Sequence, residues 1–500
     1  MNTERYSINV RSAGRTLVSC DGFIVPHNKI TFLFGESGIG KSILCKALYG
    51  ILDPDELQVT VNGRSYANHV RETSTKDIFR NGFFVFQEPS SHLNPLIRIS
   101  DQLSEGSLAH AENREAILKR LWQNADNAAI AKIMSLYPKP YRPSGGEKQR
   151  VLLAMAFEKI DLYLRARPGN QPTLFVFDEP TGSLDNKYRN LFLQLLFEKY
   201  SQCPFTVMFI THDYSIISEV YANYRDLLAA VHFKELSRLN DEGSVDLHDF
   251  SAEEYLRWLQ SAAAPHYGKA GESKEVLRFR PRFSIFGREH RICSDPERTR
   301  EAPLVINAGE MVYVKAASGV GKTTLAKIIL GLYRPDDFAM TLSGLSLNQA
   351  TPASVWARKI WGKKAGMVFQ LADESLDLAA TIKETFQGLP ARQRLDAREI
   401  INALSQLFDK ARLTETFLKR KVAYLSGGQK QRLNLLRSLV LATDLIILDE
   451  PLNGLDFRGV TRVLGLLEEK RKSGKALLLI SHNEEIFDAL VDADHTYYLS

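Results

Sequence analysis

One ordered set of short motifs occurs twice in this chain of 500 residues, and the duplication restricts its fold more than any other feature. The first copy reads GESGIGKS, FQEP, SGGEKQR, FDEP, SLD and THD. The second reads AASGVGKT, VFQ, SGGQKQR, LDEP, GLD and SHN, and its Lys322 follows the first copy's Lys41 by 281 residues. Six motifs repeated in one order predict two homologous domains in tandem.

Spacing within the two copies is nearly constant. The GK lysine precedes the SGG serine by 103 residues in the first copy (Lys41 to Ser144) and by 104 in the second (Lys322 to Ser426). From that serine to the aspartate of DEP the distance is 34 residues in the first copy but 23 in the second. We predict that the extra residues form a surface loop over residues 165–172, where Gly, Pro and Asn cluster.

The repeat divides the chain into a first domain (1–248), a connecting segment (249–275) and a second domain (276–500). Within the connection, residues 250–263 carry apolar side chains at helical spacing, so a helix is predicted there. Residues 264–275 are small and polar, which is typical of a flexible linker.

Composition narrows the class of protein. Hydrophobic residues make up 44% of the chain and charged residues 25%, as in ordinary globular proteins. No stretch has the roughly 18 uninterrupted apolar residues of a membrane span, and the N-terminus lacks the apolar core of a secretory signal. A net charge of +5 is too small to indicate nucleic-acid binding, and four isolated cysteines predict neither a metal site nor disulfides. We therefore expect a cytoplasmic protein that does not bind nucleic acid.

Each copy begins with a strand that leads into the glycine-rich motif and a helix that follows it. The later runs LFVFDE, LIILDE, FTVMFI and ALLLI are continuously apolar, which is typical of strands buried on both faces. Strand, glycine loop, helix and buried strand together indicate the α/β class.

The first glycine loop fits the pattern G-x-x-x-x-G-K-[ST] between a strand and a helix, which predicts a phosphate-binding loop. Its amides would converge on phosphate oxygens at a helix N-terminus, with the lysine on the β and γ phosphates and the serine on Mg²⁺. Its residues are Gly35, Glu36, Ser37, Gly38, Ile39, Gly40, Lys41 and Ser42.

The second loop departs from the pattern at its first position, which is alanine. A methyl group there is costly only where the backbone needs a positive φ, so we expect nucleotide binding to survive. Its residues are Ala316, Ala317, Ser318, Gly319, Val320, Gly321, Lys322 and Thr323.

Acidic residues and histidines follow the buried strands in both copies. Asp178 and Asp449 are expected to hold Mg²⁺, whereas the adjacent Glu179 and Glu450 are candidates to orient or deprotonate an attacking water. The histidines that could contact the γ phosphate are His212 and His482. Acids that merely cap a helix, or structural histidines, would explain one such group but explain a repeated pair poorly.

The SGG motifs form a second type of anion site, because a serine hydroxyl and bare glycine amides precede a helix. One domain cannot close two anion sites on opposite sides of a single γ phosphate, whereas two domains facing head to tail can. The residues are Ser144, Gly145 and Gly146 in the first copy, and Ser426, Gly427, Gly428 and Gln429 in the second.

At these motifs the chain resembles the ATP-binding cassette (ABC) ATPases over nearly all of both halves. The resemblance implies two nucleotide-binding domains, each with a RecA-like core, an antiparallel β subdomain and a helical signature subdomain. It identifies Gln87 and Gln370 as Q-loop glutamines that contact the nucleotide and Mg²⁺. ATP would lie between the phosphate loop of one half and the SGG signature of the other.

Two composite sites follow from this resemblance. The first combines Gly35–Ser42, Gln87, Asp178, Glu179 and His212 with Ser426, Gly427, Gly428 and Gln429. The second combines Ala316–Thr323, Gln370, Asp449, Glu450 and His482 with Ser144, Gly145, Gly146 and Glu147. Both are expected to hydrolyse ATP, and the second, which carries alanine in its loop and glutamate in its signature, is expected to be slower. An adenine-stacking aromatic is not evident near Ser12 or Phe286.

Within the family, the segment FQEPSSHLNPLIRISDQLSEG resembles ATPases of peptide, nickel and opine importers. That resemblance implies separate membrane permease subunits, a substrate-binding protein, and a place on the inner face of the cell membrane. The permeases would dock beside residues 87–108 and 370–386. The cysteine-rich extension that many members carry is missing, so no iron–sulfur cluster is expected.

Two alternatives remain open. Twin-cassette factors that act on ribosomes also lack membrane spans, but they typically carry a long charged arm between the halves and an EPTNHLD sequence. Here the matching sequences are EPTGSLD and EPLNGLD. Fused ATPases of energy-coupling vitamin or metal importers have a similar size, but the LNP segment of the first half favours the peptide group.

Overall fold

The computed structural model describes residues 3–89, 92–105, 108, 113–123, 126–137, 144–166, 172–180, 186–239, 243–262, 274–317, 319–390 and 395–500. The chain separates into two units, Met1–Glu253 and Glu254–Ser500. Among the described residues, no helix combines the length and apolar character that a bilayer crossing requires.

The first unit is built around a mixed sheet. Its strands are β1 Thr3–Ser12, β2 Arg15–Pro26, β3 Ile30–Gly35, β4 Gln58–Val61, β5 Arg64–Ser65, β6 Phe83–Val85, β7 Phe175–Asp178, β8 Val207–Ile210, β9 Val231–Arg238 and β10 Val245–Asp249. The central sheet has the order β10-β9-β3-β8-β7-β6, in which β9, β3, β8, β7 and β6 run parallel and β10 is antiparallel. A separate antiparallel sheet has the order β2-β1-β4-β5.

Helices cover the central sheet of the first unit, because its strands are apolar on both faces. They are α1 Lys41–Tyr49, α2 Tyr66–Arg71, α3 Thr73–Asn81, α4 Ile99–Leu103, α5 Arg114–Leu121, α6 Asn127–Met134, α7 Gly145–Ala166, α8 Asn186–Gln202 and α9 Ser215–Asn223. Strands β3, β7 and β8 are buried at every position. The predicted α/β class, with an antiparallel β subdomain and helices between Gln87 and the SGG motif, is confirmed.

The second unit repeats this plan. Its strands are β11 Glu275–Phe279, β12 Arg282–Ile285, β13 Arg288–Cys293, β14 Leu304–Asn307, β15 Met311–Lys315, β16 Ala339–Leu342, β17 Leu345–Asn348, β18 Ala365–Val368, β19 Leu445–Asp449, β20 Ala476–Ile480 and β21 Thr496–Leu499. The central order is β12-β13-β21-β15-β20-β19-β18, with parallel pairing from β21 to β18, and the antiparallel sheet is β14-β11-β16-β17.

The helices of the second unit are shorter on average between Gln370 and the signature. They are α10 Ala252–Ala262, α11 Lys322–Ile329, α12 Ala353–Val355, α13 Ala397–Leu404, α14 Glu415–Leu418, α15 Gly427–Leu439, α16 Phe457–Lys472 and α17 Glu484–Leu490, with a π-helical turn at Trp356–Ile360. Helix α10, which lies in the predicted connecting segment, packs with this unit. The Tyr255 side chain is fully buried, its hydroxyl donates to Glu485 at 2.9 Å, and its ring contacts Phe457. The linker predicted over 264–275 lies almost entirely outside the described residues.

The longer spacing between the SGG serine and the DEP aspartate in the first copy comes in large part from a longer helix, which the composition did not indicate. Helices α7 and α15 both begin at the glycine after the SGG serine, but α7 has 22 residues and α15 has 13. The loop prediction over 165–172 is therefore wrong for Arg165 and Ala166, which are helical, while residues 167–171 lie outside the described part. The extra turns are stabilised because Ile160 and Tyr163 continue the buried face of the helix.

Strand β6 depends on a glycine at its start, and this gives a stability prediction. A Cβ at Gly82 would lie 2.1 Å from the backbone oxygen of Leu174 and 2.8 Å from that of Ile78. Backbone atoms cannot rotate away as a side chain can, so Gly82→Ala should destabilise the first unit by at least about 1–3 kcal/mol. Urea unfolding of the full chain measures the change. Gly465→Ala is the control, since nothing lies within 4 Å of its added methyl group. Equal unfolding midpoints for the two variants would contradict the prediction.

Candidate functional site

The first phosphate loop joins β3 to α1 and needs its glycines. Gly35, Gly38 and Gly40 have φ values of 139°, 75° and 112°, which residues other than glycine rarely adopt. A Cβ at Gly35 would also lie 2.7 Å from the backbone oxygen of Leu236. The loop therefore has the close-turning backbone that lets several amides face one anion at the start of α1.

Lys41 lies across this loop. Its Nζ donates to the backbone oxygens of Gly35 at 2.6 Å and Glu36 at 3.1 Å, and the residue is 5% exposed. Burial lowers the pKa of the lysine, and the charges of Glu179 and Asp178 oppose that shift. The Lys41 ammonium therefore lies where it can exchange its hydrogen bonds to backbone oxygens for stronger ones to phosphate oxygens.

A hydroxyl and a carboxylate meet beside each loop. Ser42 Oγ donates to Asp178 at 2.8 Å, and Thr323 Oγ1 donates to Asp449 at 2.8 Å. Burial raises the pKa of Asp178 to about 6 against the opposing Ser42 hydrogen bond, and burial also raises the pKa of Asp449. Two hard oxygen donors in a site that disfavours an uncompensated negative charge fit Mg²⁺.

Glu179 is held by two side chains of the first unit. Its Oε1 lies 3.2 Å from Nδ1 of His212, and its Oε2 accepts a hydrogen bond from Nε2 of Gln87 at 3.0 Å. Burial alone would raise the pKa of Glu179, but His212, Lys41 and Gln87 together outweigh it and lower the pKa to about 2. Its backbone has φ 46°, an unfavourable value for glutamate that turns the side chain away from the strand.

Glu450 adopts the same backbone, with φ 51°, but different partners. The hydroxyl of Ser481 donates to its Oε2 at 2.8 Å, and Nε2 of His482 lies 3.6 Å from Oε1. Burial raises the pKa of Glu450 to about 7, against the hydrogen bond from Ser481. The sequence motifs match, yet the two carboxylates are in different electrostatic states.

Ser481 is a functional candidate that the sequence analysis missed. The equivalent residue of the first unit is Thr211, whose Oγ1 instead accepts a hydrogen bond from the Asp213 amide at 3.0 Å. Ser481 accepts in the same way from Asn483, but it also donates to Glu450. The sequence signal for this role is the hydroxyl residue directly before each histidine, Thr211 and Ser481.

The second phosphate loop repeats the first except at its start. Gly319 and Gly321 have φ values of 80° and 114°, and Lys322 Nζ donates to the backbone oxygen of Ala316 at 2.5 Å. Ala316 is not among the described residues with positive φ, so its methyl group causes no backbone strain. Ser318 lies outside the described residues, as does the SLD motif at 183–185.

Each SGG motif starts a helix through the same reciprocal cap. In the first unit the amide and hydroxyl of Ser144 both donate to Glu147 at 2.8 Å, and the Glu147 amide donates back at 3.3 Å. In the second unit the Ser426 amide donates to Gln429 at 3.0 Å, and the Gln429 amide donates back at 3.3 Å. A carboxylate beside Ser144 repels an approaching anion, whereas the neutral Gln429 does not.

The Q-loop glutamines differ as well. Both side chains are exposed, but only Gln87 has a described hydrogen bond to the neighbouring glutamate. One further contact was not predicted by any motif: Arg238, at the end of β9, donates to the backbone oxygen of Gly38 at 3.3 Å. The structure thus brings together phosphate loop, aspartate, glutamate and histidine within each unit.

A P-loop followed by a strand-end Asp-Glu pair and a histidine, with an SGG helix, defines a nucleotide-hydrolysing domain, and this chain has two. The ABC transporter family matches residues 21–182 and 300–453. The chain belongs to this family, and it is an ATPase of that class.

Relatives match nearly the whole chain at low identity. The peptidoglycan transport ATP-binding protein YejF of Agrobacterium fabrum is 26% identical, over 97% of this chain and 88% of that protein. The glutathione import ATP-binding protein GsiA of Shigella dysenteriae is 24% identical, over 95% and 81%. Among solved structures, the archaeal ribosome recycling factor aABCE1, in complex with stalk protein aP1, has a TM-score of 0.62 and 16% identity, over 98% and 89%. That structural likeness shows the fold alone.

Proposed function

We propose that this chain powers substrate import through separate membrane permease subunits, as a peptide-type importer ATPase. The observation that carries the proposal is the match, end to end, to proteins named for peptidoglycan transport and glutathione import. In both halves the histidine lies within 3.6 Å of the glutamate, and the aspartate accepts a hydrogen bond from the hydroxyl of the phosphate loop, which supports two sites of hydrolysis. Direction and substrate class come from the relatives' names.

In the proposed cycle, ATP joins the phosphate loop of one half to the SGG signature of the other, and the halves part after hydrolysis. Water attacks the γ phosphorus, the bond to the β-phosphate oxygen breaks, and ADP and phosphate leave. Glu179 or Glu450 orients the water and accepts its proton. Lys41 or Lys322 holds the phosphates, and His212 or His482 supports the γ phosphate.

Mg²⁺ bound by the Ser42–Asp178 or Thr323–Asp449 pair, with Gln87 or Gln370 nearby, would neutralise charge on the β and γ phosphates. The chain's own part is to hold these oxygens in place. Asp178 and Asp449 do this from the ends of buried strands, where their position is set by the sheet.

A groove beside the first Q-loop is the proposed docking place for a permease segment. It has a volume of about 480 Å³ and is lined mainly by aromatic and apolar side chains. The ring centroids of Phe83 and Phe86 lie 5.2 and 5.4 Å from that of His92, and burial lowers the pKa of His92, which favours its neutral form. Phe79 at its rim is 62% exposed. An apolar helix face is the partner that such a groove fits.

The groove is also directly connected to the first catalytic glutamate through the backbone of the Q-loop. Strand β6 ends at Val85, Phe86 lines the groove, and the next residue, Gln87, donates to Glu179. A segment that presses on Phe86 would therefore move the hydrogen bond that holds Glu179. This supplies a short physical route from a docked permease to the first site.

Purification from membranes tests the proposal. We expect the full chain to bring down integral membrane proteins that mass spectrometry identifies as permease subunits. Phe79→Asp should abolish that association while leaving ATP binding intact, because the charge enters an apolar groove outside the phosphate loop. Leu239→Asp is the matched control, since Leu239 is equally exposed at 64% in the same unit but lies outside the groove.

Action on ribosomes is the second candidate, because the fold is similar to that of a ribosome recycling factor over nearly the whole chain. Sedimentation in sucrose gradients separates the two. Sedimentation of the chain with ribosomes, and no recovery of membrane proteins, would replace the import proposal. Capture of a vitamin- or metal-specific energy-coupling component would indicate the fused energy-coupling type.

A further inference from the structure

A partly buried ion pair lies in the helical part of the first unit. Arg114, the first residue of α5, donates from Nε to Oε1 of Glu158 at 3.0 Å and from Nη2 to Oε2 at 3.1 Å. Glu158, on α7, is fully buried, and burial raises the pKa of its carboxyl against the opposing charge of Arg114. The two-point geometry fixes the direction of the guanidinium as well as its distance.

The same guanidinium holds a third segment. Its Nη2 donates to the backbone oxygens of Leu103 at 2.5 Å and Leu108 at 2.7 Å, and its Nη1 donates to the hydroxyl of Ser104 at 3.2 Å. One side chain therefore joins the end of α4, the start of α5 and the middle of α7. We call this set of bonds, from Arg114 to Glu158, Leu103, Leu108 and Ser104, the Arg114 clamp.

The second unit makes an equivalent connection from a different position. Arg437, on α15, donates from Nε to the backbone oxygen of Thr385 at 2.9 Å and from Nη1 to that of Ser375 at 3.4 Å. When the two sequences are aligned at their signature serines, Ser144 and Ser426, Arg437 corresponds to Met155 and Val440 corresponds to Glu158. The first unit has a methionine on its signature helix where the second has Arg437, and it brings an arginine from α5 instead, with a carboxylate on the helix to receive it.

The clamp lies between two functional regions. The aromatic groove is lined by Leu108, which is one of the carbonyl acceptors, by Glu105, and by Lys159, which is next to Glu158. Helix α7, which carries Glu158, begins directly after Ser144 of the signature. A displacement of the groove wall must therefore either break the clamp or move the helix that starts at the signature.

We propose that Arg114 is a positioning residue for ATP hydrolysis, which holds the groove wall and the signature helix of the first unit as one body. The inference rests on the proposed function in one respect, namely that Ser144 takes part in hydrolysis. It makes Arg114 and Glu158 the first unit's substitute for Arg437. Lysine cannot replace Arg114, because an ammonium is a point donor and cannot bond two carboxylate oxygens and two carbonyls in one plane.

Three variants of the full chain test the proposal. Arg114→Lys keeps the positive charge and removes the two-point geometry of the guanidinium. The triple variant Arg114→Leu, Met155→Arg, Glu158→Val copies the second unit's arrangement into the first. Arg120→Lys is the matched control, because Arg120 lies on the same helix and pairs with Glu198 through the same two-point geometry at the surface.

The readouts are amide hydrogen exchange over residues 99–103 and 144–149, and steady-state ATP hydrolysis. Because Ser144 belongs to the second composite site, all variants are measured in a Glu179→Gln background, where that site supplies the turnover. We expect Arg114→Lys to exchange faster in both segments and to lose about 10- to 100-fold in this kcat with an unchanged KM, since the phosphate loops are untouched. The triple variant should recover both exchange protection and kcat, and Arg120→Lys should match the parent.

If amide hydrogen exchange in Arg114→Lys is as slow as in the wild type, Arg114 does not hold the two segments together, and the clamp is contradicted. Faster exchange with unchanged kcat, or a triple variant that regains protection but not kcat, would overturn its positioning role. Neither readout involves a membrane partner, so failure to find a permease would leave this inference standing, and its own failure would leave the import proposal standing.

Discussion

Glu179→Gln is expected to remove most of the ATP hydrolysis of this chain, whereas Glu450→Gln removes a smaller share. Both carboxylates follow a strand-end aspartate and are positioned by the same unusual backbone, so each is the expected base of its own site. A positioned general base contributes about 10²- to 10⁴-fold, and we expect the double variant to fall by that factor.

The ranking of the single variants follows from the signature of the opposite half. In the proposed pairing, Glu179 works with the neutral Gln429, while Glu450 works with Glu147, whose carboxylate lies against the Ser144 hydroxyl. Repulsion between that carboxylate and the γ phosphate should slow the second site. A larger loss of steady-state turnover in Glu450→Gln than in Glu179→Gln would contradict the ranking.

ATP affinity is the control for these variants. Glutamine has nearly the shape of glutamate and keeps one acceptor oxygen for these partners, so equilibrium dialysis should show two ATP bound per chain in either variant. Loss of binding would mean that the substitution disturbed the site and that the turnover comparison has no bearing on the base.

The second large effect is expected from the loop lysines. Lys41→Met removes a buried ammonium whose described partners are two backbone oxygens, and which has only to turn to phosphate when ATP binds. A hydrogen bond to a charged group is worth about 1.5–3 kcal/mol, so affinity at the first site should fall about 10- to 200-fold. Equilibrium dialysis at intermediate ATP concentration should then show one ATP per chain instead of two.

Lys322→Met should weaken the other site to a similar extent, because Lys322 makes the matching bond to Ala316. Lys76→Met, at an exposed position on α3, is the control and should bind two ATP. Retention of two tight sites in Lys41→Met would show that this lysine does not hold the nucleotide.

The local motifs and the buried strands could be predicted because they depend on residues close in sequence. A glycine loop between an apolar strand and an apolar helix has one common solution, and short continuous apolar runs are typical of strands buried on both faces. The strand-end positions of Asp178 and Asp449 followed directly from those runs.

The differences between the two sites could not be predicted, because they depend on side-chain directions. Identical DE pairs gave no indication that Glu179 contacts Gln87 and His212 while Glu450 contacts Ser481. The positive φ of both glutamates is imposed by the surrounding sheet, and no local propensity favours it.

The extension of α7 and the Arg114 clamp show a second limit. Gly, Pro and Asn near residue 170 indicated a loop, but the buried stripe through Ile160 and Tyr163 was the stronger signal and continued the helix. Arg114 and Glu158 are 44 residues apart in sequence, and only the packing of α5 on α7 brings them together.

The most direct test of the account is a cryo-EM map of the full chain carrying Glu179→Gln and Glu450→Gln with ATP and Mg²⁺. We expect two triphosphates, one held by Lys41 and touched by Ser426, the other held by Lys322 and touched by Ser144. A map in which each nucleotide is bound wholly within its own unit, with neither signature serine in contact with it, would contradict the account.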